Sequence, residues 1–148
     1  MSSEQQNSTQ YETVVPITVR YRDIDSVGHV NNAVYVTYLE DARVHYFEKL
    51  FDIEAESPGF VIANLSIDYL RPIQFGQEVT VGVRTTDIGT SSIVMDYEIR
   101  ADGTLVATAE TVVVPFDTER QSSKPVPDEW RAQLVEYEPQ LERDISDE

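Results

Sequence analysis

The 148-residue chain contains no cysteine. That excludes disulfides, a thiol nucleophile, an iron–sulfur cluster and a cysteine zinc site. His29, His45 and the carboxylates are left as the only metal-ligand types, and no metal or other cofactor is expected. Basic residues are scarce too: 11 lysines and arginines stand against 27 acids, for a formal net charge of -16. Nucleic acid is not an expected partner, because neutralising phosphates takes clusters of Lys and Arg. No stretch approaches the roughly 20 apolar residues of a membrane span, so no membrane association is expected. The first twelve residues, MSSEQQNSTQYE, lack the apolar core of a signal peptide. The expected location is cytoplasmic.

The composition supports a packed core, since 41% of the residues are hydrophobic. A chain this long buries roughly 70% of the surface its unfolded form exposes. One domain is expected over residues 12–137, with a flexible tail at 1–11 and an acidic tail at 138–148. The acids are spread over almost every segment, and Lys49 and Lys124 are the only lysines. A surface so negative repels itself in dilute buffer and is tolerated where salt shortens the screening length to about 3 Å at 1 M. The chain therefore reads as halophilic.

Along the chain, β-branched residues between Thr13 and Tyr21 suit a strand, with Pro16 pointing to a sheet edge or a bulge. RDIDSVGHVNN, residues 22–32, breaks the pattern and reads as a loop. Tyr35, Tyr38, Leu39, Ala42, Tyr46 and Leu50 then recur at helical spacing. Asn31 or Asn32 is placed to cap this helix. Four strands follow, at about 60–70, 78–86, 93–100 and 105–116, with Asp102-Gly103 as a hairpin turn. A short helix over 127–137, capped near Asp128, is expected to close the chain. The fold class is α+β, an antiparallel sheet wrapped around one long helix. Val34, Val36, Val44 and Phe47 widen the helix's apolar face and call for a concave partner.

Chemistry concentrates in YRDIDSVGHVNNAVY, residues 21–35, where a loop meets a helix start. Backbone N–H groups at a helix N-terminus polarise a carbonyl or hold an oxyanion. A carboxylate just before them, such as Asp25, can serve as nucleophile or as general base toward water. From the residues alone, Asp23 and Asp25 read equally as caps of a turn.

The string D-x-D-x-x-G-H-V-N-N-x-x-Y, followed by Y-L-E-x-A-R, resembles the signature of the 4-hydroxybenzoyl-CoA thioesterase branch of the hotdog-fold acyl-CoA thioesterases. Ser66-Ile67-Asp68-Tyr69-Leu70-Arg71-Pro72 with Gly76, and the turn from Gly89 to Ser92, resemble it too, so the likeness spans about 13–118. It implies a five-stranded antiparallel sheet around the helix and hydrolysis of an acyl-CoA, with coenzyme A part of the substrate. Asp25 falls on the family's catalytic carboxylate, and the Asn32 backbone N–H falls where the family polarises the thioester carbonyl. His29, Asn31 and Tyr35 would shape the pocket and loop, His29 by ordering the loop or by touching the thioester. Tyr21 sits where some relatives place an active-site tyrosine. Asp23 is expected to cap the turn, and His45 to be solvated. Arg71, Arg84, Arg100 and Arg120 are the candidates for the phosphates of coenzyme A, and Ser91 and Ser92 either face the site or form a plain turn. The resemblance also implies at least a homodimer, and in many relatives a homotetramer, with sites at the subunit interface. Tyr35, Tyr38 and Tyr46 share the helix face that would meet the acyl group.

Four rival readings stand beside this one. A hotdog dehydratase needs a helix-borne histidine and acid pair, which is missing here. A serine hydrolase lacks its G-x-S-x-G. An acyl carrier protein thioesterase and a non-catalytic acyl-CoA-binding module remain open alternatives. The halophilic reading is tested by unfolding midpoints: they should rise from dilute buffer to molar KCl, and no gain in salt would contradict it.

Overall fold

The computed structural model describes residues 11–51 and 59–141; 1–10, 52–58 and 142–148 lie outside the described residues. Most of the expected N-terminal tail and part of the SPG terminator at 57–59 fall there. Among the described residues the named strands and longer helices run in the order β1 Thr13–Ile17, α1 Val34–Leu50, β2 Gly59–Tyr69, β3 Val79–Ile88, β4 Ile93–Ala101, β5 Thr104–Asp117, β6 Ser122–Ser123 and α2 Asp128–Tyr137. The sheet order is β1-β3-β4-β5-β2, with the two-residue β6 pairing with β5. The five expected strands are thus present with one short addition. β1 pairs antiparallel with β3, Pro16 opposite Thr80, at the end of the order where a residue without an N–H does least harm. β1 ends at Ile17, and Tyr21 opens a 3-10 turn, Tyr21–Asp23.

The chain divides into two compact units. The first comprises 11–46, 67–83 and 97–109 among the described residues. Here Tyr35, Tyr38, Leu39, Ala42 and Tyr46 of α1 are buried, as are Val15, Ile73, Val81, Val83, Tyr97 and Ile99. Asp102 and Gly103 both have positive φ, +51° and +83°, which gives the tight hairpin between β4 and β5 that the sequence predicts. Tyr11 belongs to this packing at 7% exposure, so the expected flexible tail does not include it.

The second unit comprises 47–51, 59–66, 84–96 and 110–141 among the described residues. Its centre is a run of stacked rings: Phe47 on Phe51 at 5.4 Å, Phe47 on Phe60 at 4.6 Å, and Trp130 on Phe51 at 4.7 Å. Trp130 and Leu134, one turn apart, are the buried face of α2. Asp128 is the first residue of that helix and makes no side-chain cap; Pro127 occupies the cap position. Among the described residues beyond Tyr137, Glu138 and Leu141 are packed instead of frayed. Glu138 is 1% exposed, and its carboxylate accepts the Thr85 N–H at 3.2 Å. Leu141 is buried as well.

The described residues leave two apolar surfaces exposed. Val36 and Val44 of α1 remain 38% and 45% exposed, so the concave cover expected for that side of the helix does not come from the described residues. β2 ends the sheet order, and its residues 61–66 are all exposed. Because successive side chains of a strand point to opposite faces, exposure at both Val61 and Ile62 means that both faces are open.

Candidate active site

The site is built on the turn between β1 and α1, in the first unit. Asp23 anchors it. Its Oδ2 accepts the Arg20 N–H at 2.9 Å and the Tyr38 hydroxyl at 2.8 Å, and its backbone carbonyl accepts the Asn31 N–H at 2.8 Å. The residue is 9% exposed, so the carboxylate is spent on structure, as the turn-cap reading expects. Burial first, and then the hydrogen bond and negative charge of Asp23, push the Tyr38 hydroxyl well above the ordinary phenol range.

Asp25, two residues on, is exposed. Its Oδ1 accepts N–H groups from Val27 at 2.9 Å and His29 at 3.2 Å. Its own N–H donates to the His29 carbonyl at 2.8 Å, and its carbonyl accepts the Gly28 N–H at 3.1 Å. Gly28 has φ +91°, a conformation L side chains rarely adopt, which closes the loop so tightly. Among the described residues, nothing hydrogen-bonds to Asp25 Oδ2. The loop is thus ordered by the His29 main chain, which also bridges to Gln74, while the His29 ring makes no hydrogen bond among the described residues.

The helix start is capped by Asn31. Its Oδ1 accepts the Ala33 N–H at 2.8 Å and its carbonyl accepts the Val34 N–H at 2.9 Å. Asn32 is exposed, and no acceptor among the described residues takes its backbone N–H. The chain therefore holds, on one short segment, a carboxylate oxygen and a peptide donor that are both open.

The other expected residues divide by burial. Tyr35 is 1% exposed and closed off from solvent, its hydroxyl raised by burial with a backbone hydrogen bond from Ile73 offsetting part of the effect. Tyr38 and Tyr46 are equally buried, at 2% and 0%, so the aromatic face expected to meet an acyl group is core in this chain. Tyr21 is 82% exposed, with its ring edge-on to Phe75 at 6.0 Å. Phe75 lines a groove of about 520 Å³ that includes Pro16, Val19 and Glu78 but neither Asp25 nor Asn32. Ser91 and Ser92 belong to the second unit, in a turn where the Gly89 N–H donates to the Ser92 carbonyl at 2.8 Å. Of the arginine candidates, Arg84 pairs with Asp96 at 3.2 Å, Arg100 with Glu98 at 3.0 Å and Arg120 more loosely with Asp117 at 3.9 Å. Arg71 is exposed, and its side chain has no partner among the described residues. His45 is exposed, as expected. Among the described residues no group of three or more His, Asp or Glu side chains is arranged to hold a metal ion.

One residue escaped the sequence reading. Tyr69, at the end of β2, donates its hydroxyl to the Asn32 carbonyl at 2.9 Å. Its only signal in the sequence is its place in the SIDYLRP segment.

Comparison with known proteins decides the family, because a model of the thioesterase-like superfamily matches residues 19–134. The chain belongs to the thioesterase-like superfamily. Its antiparallel sheet and main helix are the hotdog fold of that superfamily. Among solved structures, a thioesterase from Thermus thermophilus, complexed with coenzyme A and Zn, superposes with a TM-score of 0.81 at 38% identity, over 88% of this chain and 96% of that one. The acyl-CoA thioester hydrolase YbgC of Escherichia coli O157:H7 is 29% identical over 118 residues, 76% of this chain and 87% of its own length. The uncharacterized protein YsmA of Bacillus subtilis is 32% identical over 94 residues, which cover 63% of this chain and 64% of that protein, just under two thirds of its length.

The raised Tyr38 hydroxyl has a consequence for stability. The folded state keeps this proton more tightly than the unfolded chain does, so its contribution is complete below pH about 10 and is lost as pH rises beyond it. Urea unfolding between pH 8 and 11 should show stability falling above pH 10, and Tyr38→Phe should flatten that fall. An identical slope in both proteins would contradict the assignment.

Proposed function

We propose that the chain hydrolyses an acyl-CoA to a carboxylic acid and free CoA, using Asp25 and the Asn32 backbone N–H. The observation that carries this reading is the pair of open groups on one segment, Asp25 Oδ2 and the Asn32 N–H, in a chain of the thioesterase-like superfamily. A YbgC relative named as an acyl-CoA thioester hydrolase and a similar thioesterase bound to coenzyme A support the substrate class. In this reading the Asn32 N–H donates to the thioester carbonyl oxygen, where negative charge develops as the carbon becomes tetrahedral. Asp25 Oδ2 either attacks that carbon, expelling the CoA thiolate and leaving a mixed anhydride that water opens, or takes a proton from the attacking water. Anchoring Oδ1 on two backbone donors keeps the carboxylate aimed, which serves both routes.

Arg71 is the proposed partner for a CoA phosphate, since a free guanidinium forms charge-assisted pairs with phosphate oxygens. The smallest working unit in this reading is a homodimer. Asp25 and Asn32 lie on open surface, while an acyl group needs a dry pocket. The bare edge strand β2, with Val61, Ile62 and Leu65 exposed, is suited to pairing with a second copy. Strong salt would screen the repulsion between a chain of net charge -16 and an anionic substrate.

Release of CoA is readable with a thiol reagent, because the chain has no cysteine of its own. Across short, medium, long and aromatic acyl-CoAs in molar KCl, Asp25→Asn should lower kcat by about 100-fold or more and leave KM within about threefold. Near-normal turnover in the variant would move the chemistry to another residue.

A further inference from the structure

From Asn31 to Ala33, each backbone polar group has a partner except one. The Asn31 N–H donates to the Asp23 carbonyl, the Asn31 carbonyl accepts the Val34 N–H, the Ala33 N–H donates to Asn31 Oδ1, and the Ala33 carbonyl accepts the Val36 N–H at 3.3 Å. The exception, among the described residues, is the Asn32 N–H. The Asn32 carbonyl is the unusual case. In a regular helix it would accept the amide four residues on, that of Val36, but Val36 turns to Ala33 instead. Its donor is the Tyr69 hydroxyl at 2.9 Å, brought in from a different element.

Tyr69 is held for this task. Its ring stands edge-on against Tyr35, with centroids 4.9 Å apart at 82°, and Tyr35 is fully packed. The chain just after it is tied down as well, because the N–H groups of Leu70 and Arg71 both donate to the Val106 carbonyl at 2.8 and 3.1 Å. The hydroxyl therefore arrives from a rigid base, while 46% of the residue stays exposed beside the open surface of Asn32.

Resting on the proposed hydrolysis, we infer that Tyr69 is a positioning residue: by holding the Asn32–Ala33 peptide it aims the Asn32 N–H at the substrate carbonyl. The two peptides on either side of the Asn32 Cα are each pinned by their carbonyls, one by the Val34 N–H and one by Tyr69. Without Tyr69 that peptide is held only by the Ala33 N–H on Asn31 Oδ1, and the backbone angles at Asn32 have more room to shift. A donor that must meet an oxyanion near 3 Å loses effect quickly with misalignment.

The test is Tyr69→Phe, which removes the hydroxyl and keeps the ring against Tyr35. Steady-state kinetics with the best acyl-CoA of the panel should show kcat lowered about tenfold with KM within about twofold, the split expected when an interaction acts only in the transition state. Amide NMR of the free protein should show the Asn32 and Ala33 signals displaced while those of Val27 and His29 stay. Unchanged kcat overturns the inference, as does a raised KM at constant kcat, which would place the hydroxyl on the substrate itself. An unmoved Asn32 amide overturns it whether or not a substrate is in hand. Asp25→Asn, assayed alongside, separates the two failures: a dead Asp25→Asn with a normal Tyr69→Phe sinks the positioning role alone, whereas full turnover in both sinks the hydrolytic reading and this inference with it.

Discussion

The site depends on one buried contact, the hydrogen bond from the Tyr38 hydroxyl to the Asp23 carboxylate at 2.8 Å. A carboxylate taken out of water is costly unless its oxygens are satisfied, so Asp23 requires Tyr38 and the Arg20 amide as much as it positions them. Through this pair, the loop that carries Asp25 is fastened to the second turn of α1. Through the Asp23 carbonyl it is also fastened to Asn31, the residue that caps the same helix. Carboxylate and helix start are thereby parts of one rigid assembly, and geometry of this kind is what lets a peptide N–H stabilise a developing oxyanion without reorganising.

Two acids two residues apart thus take opposite roles. Asp23 is buried and has its Oδ2 occupied twice; Asp25 is exposed, has one oxygen anchored and leaves the other open. Residue type alone does not separate these roles, since both acids are good turn caps. The resemblance of the D-x-D-x-x-G-H-V-N-N string singled out Asp25, and the structure adds the reason that Asp23 is the one withdrawn from solvent: Tyr38 lies above it in the helix.

Much of the fold was legible because it rests on local rules. The three-to-four spacing from Tyr35 to Leu50 is α1, Asp102-Gly103 is the hairpin its chemistry demands, and Pro16 marked a strand at the end of the sheet order. What was hidden depends on contacts distant in the chain. Glu138 looks like part of a solvated acidic tail until its carboxylate meets the Thr85 amide. Tyr35 and Tyr46 look like a ligand-facing stripe by spacing, yet they are core. Tyr69 sits in the middle of a recognisable segment, but nothing in that segment tells that its hydroxyl reaches a carbonyl far back in the chain, at Asn32. The uncovered faces of β2 and of α1 at Val36 and Val44 were equally unreadable, because an apolar residue in sequence does not announce whether its cover is its own chain.

The most direct test of the account is a crystal structure with a non-hydrolysable analogue of acyl-CoA, in which a methylene replaces the thioester sulfur and keeps the carbonyl. The carbonyl oxygen should lie about 3 Å from the Asn32 backbone nitrogen, with Asp25 Oδ2 facing the carbonyl carbon. A carbonyl bound away from the helix start, with Asn32 N–H still turned to solvent, would contradict it.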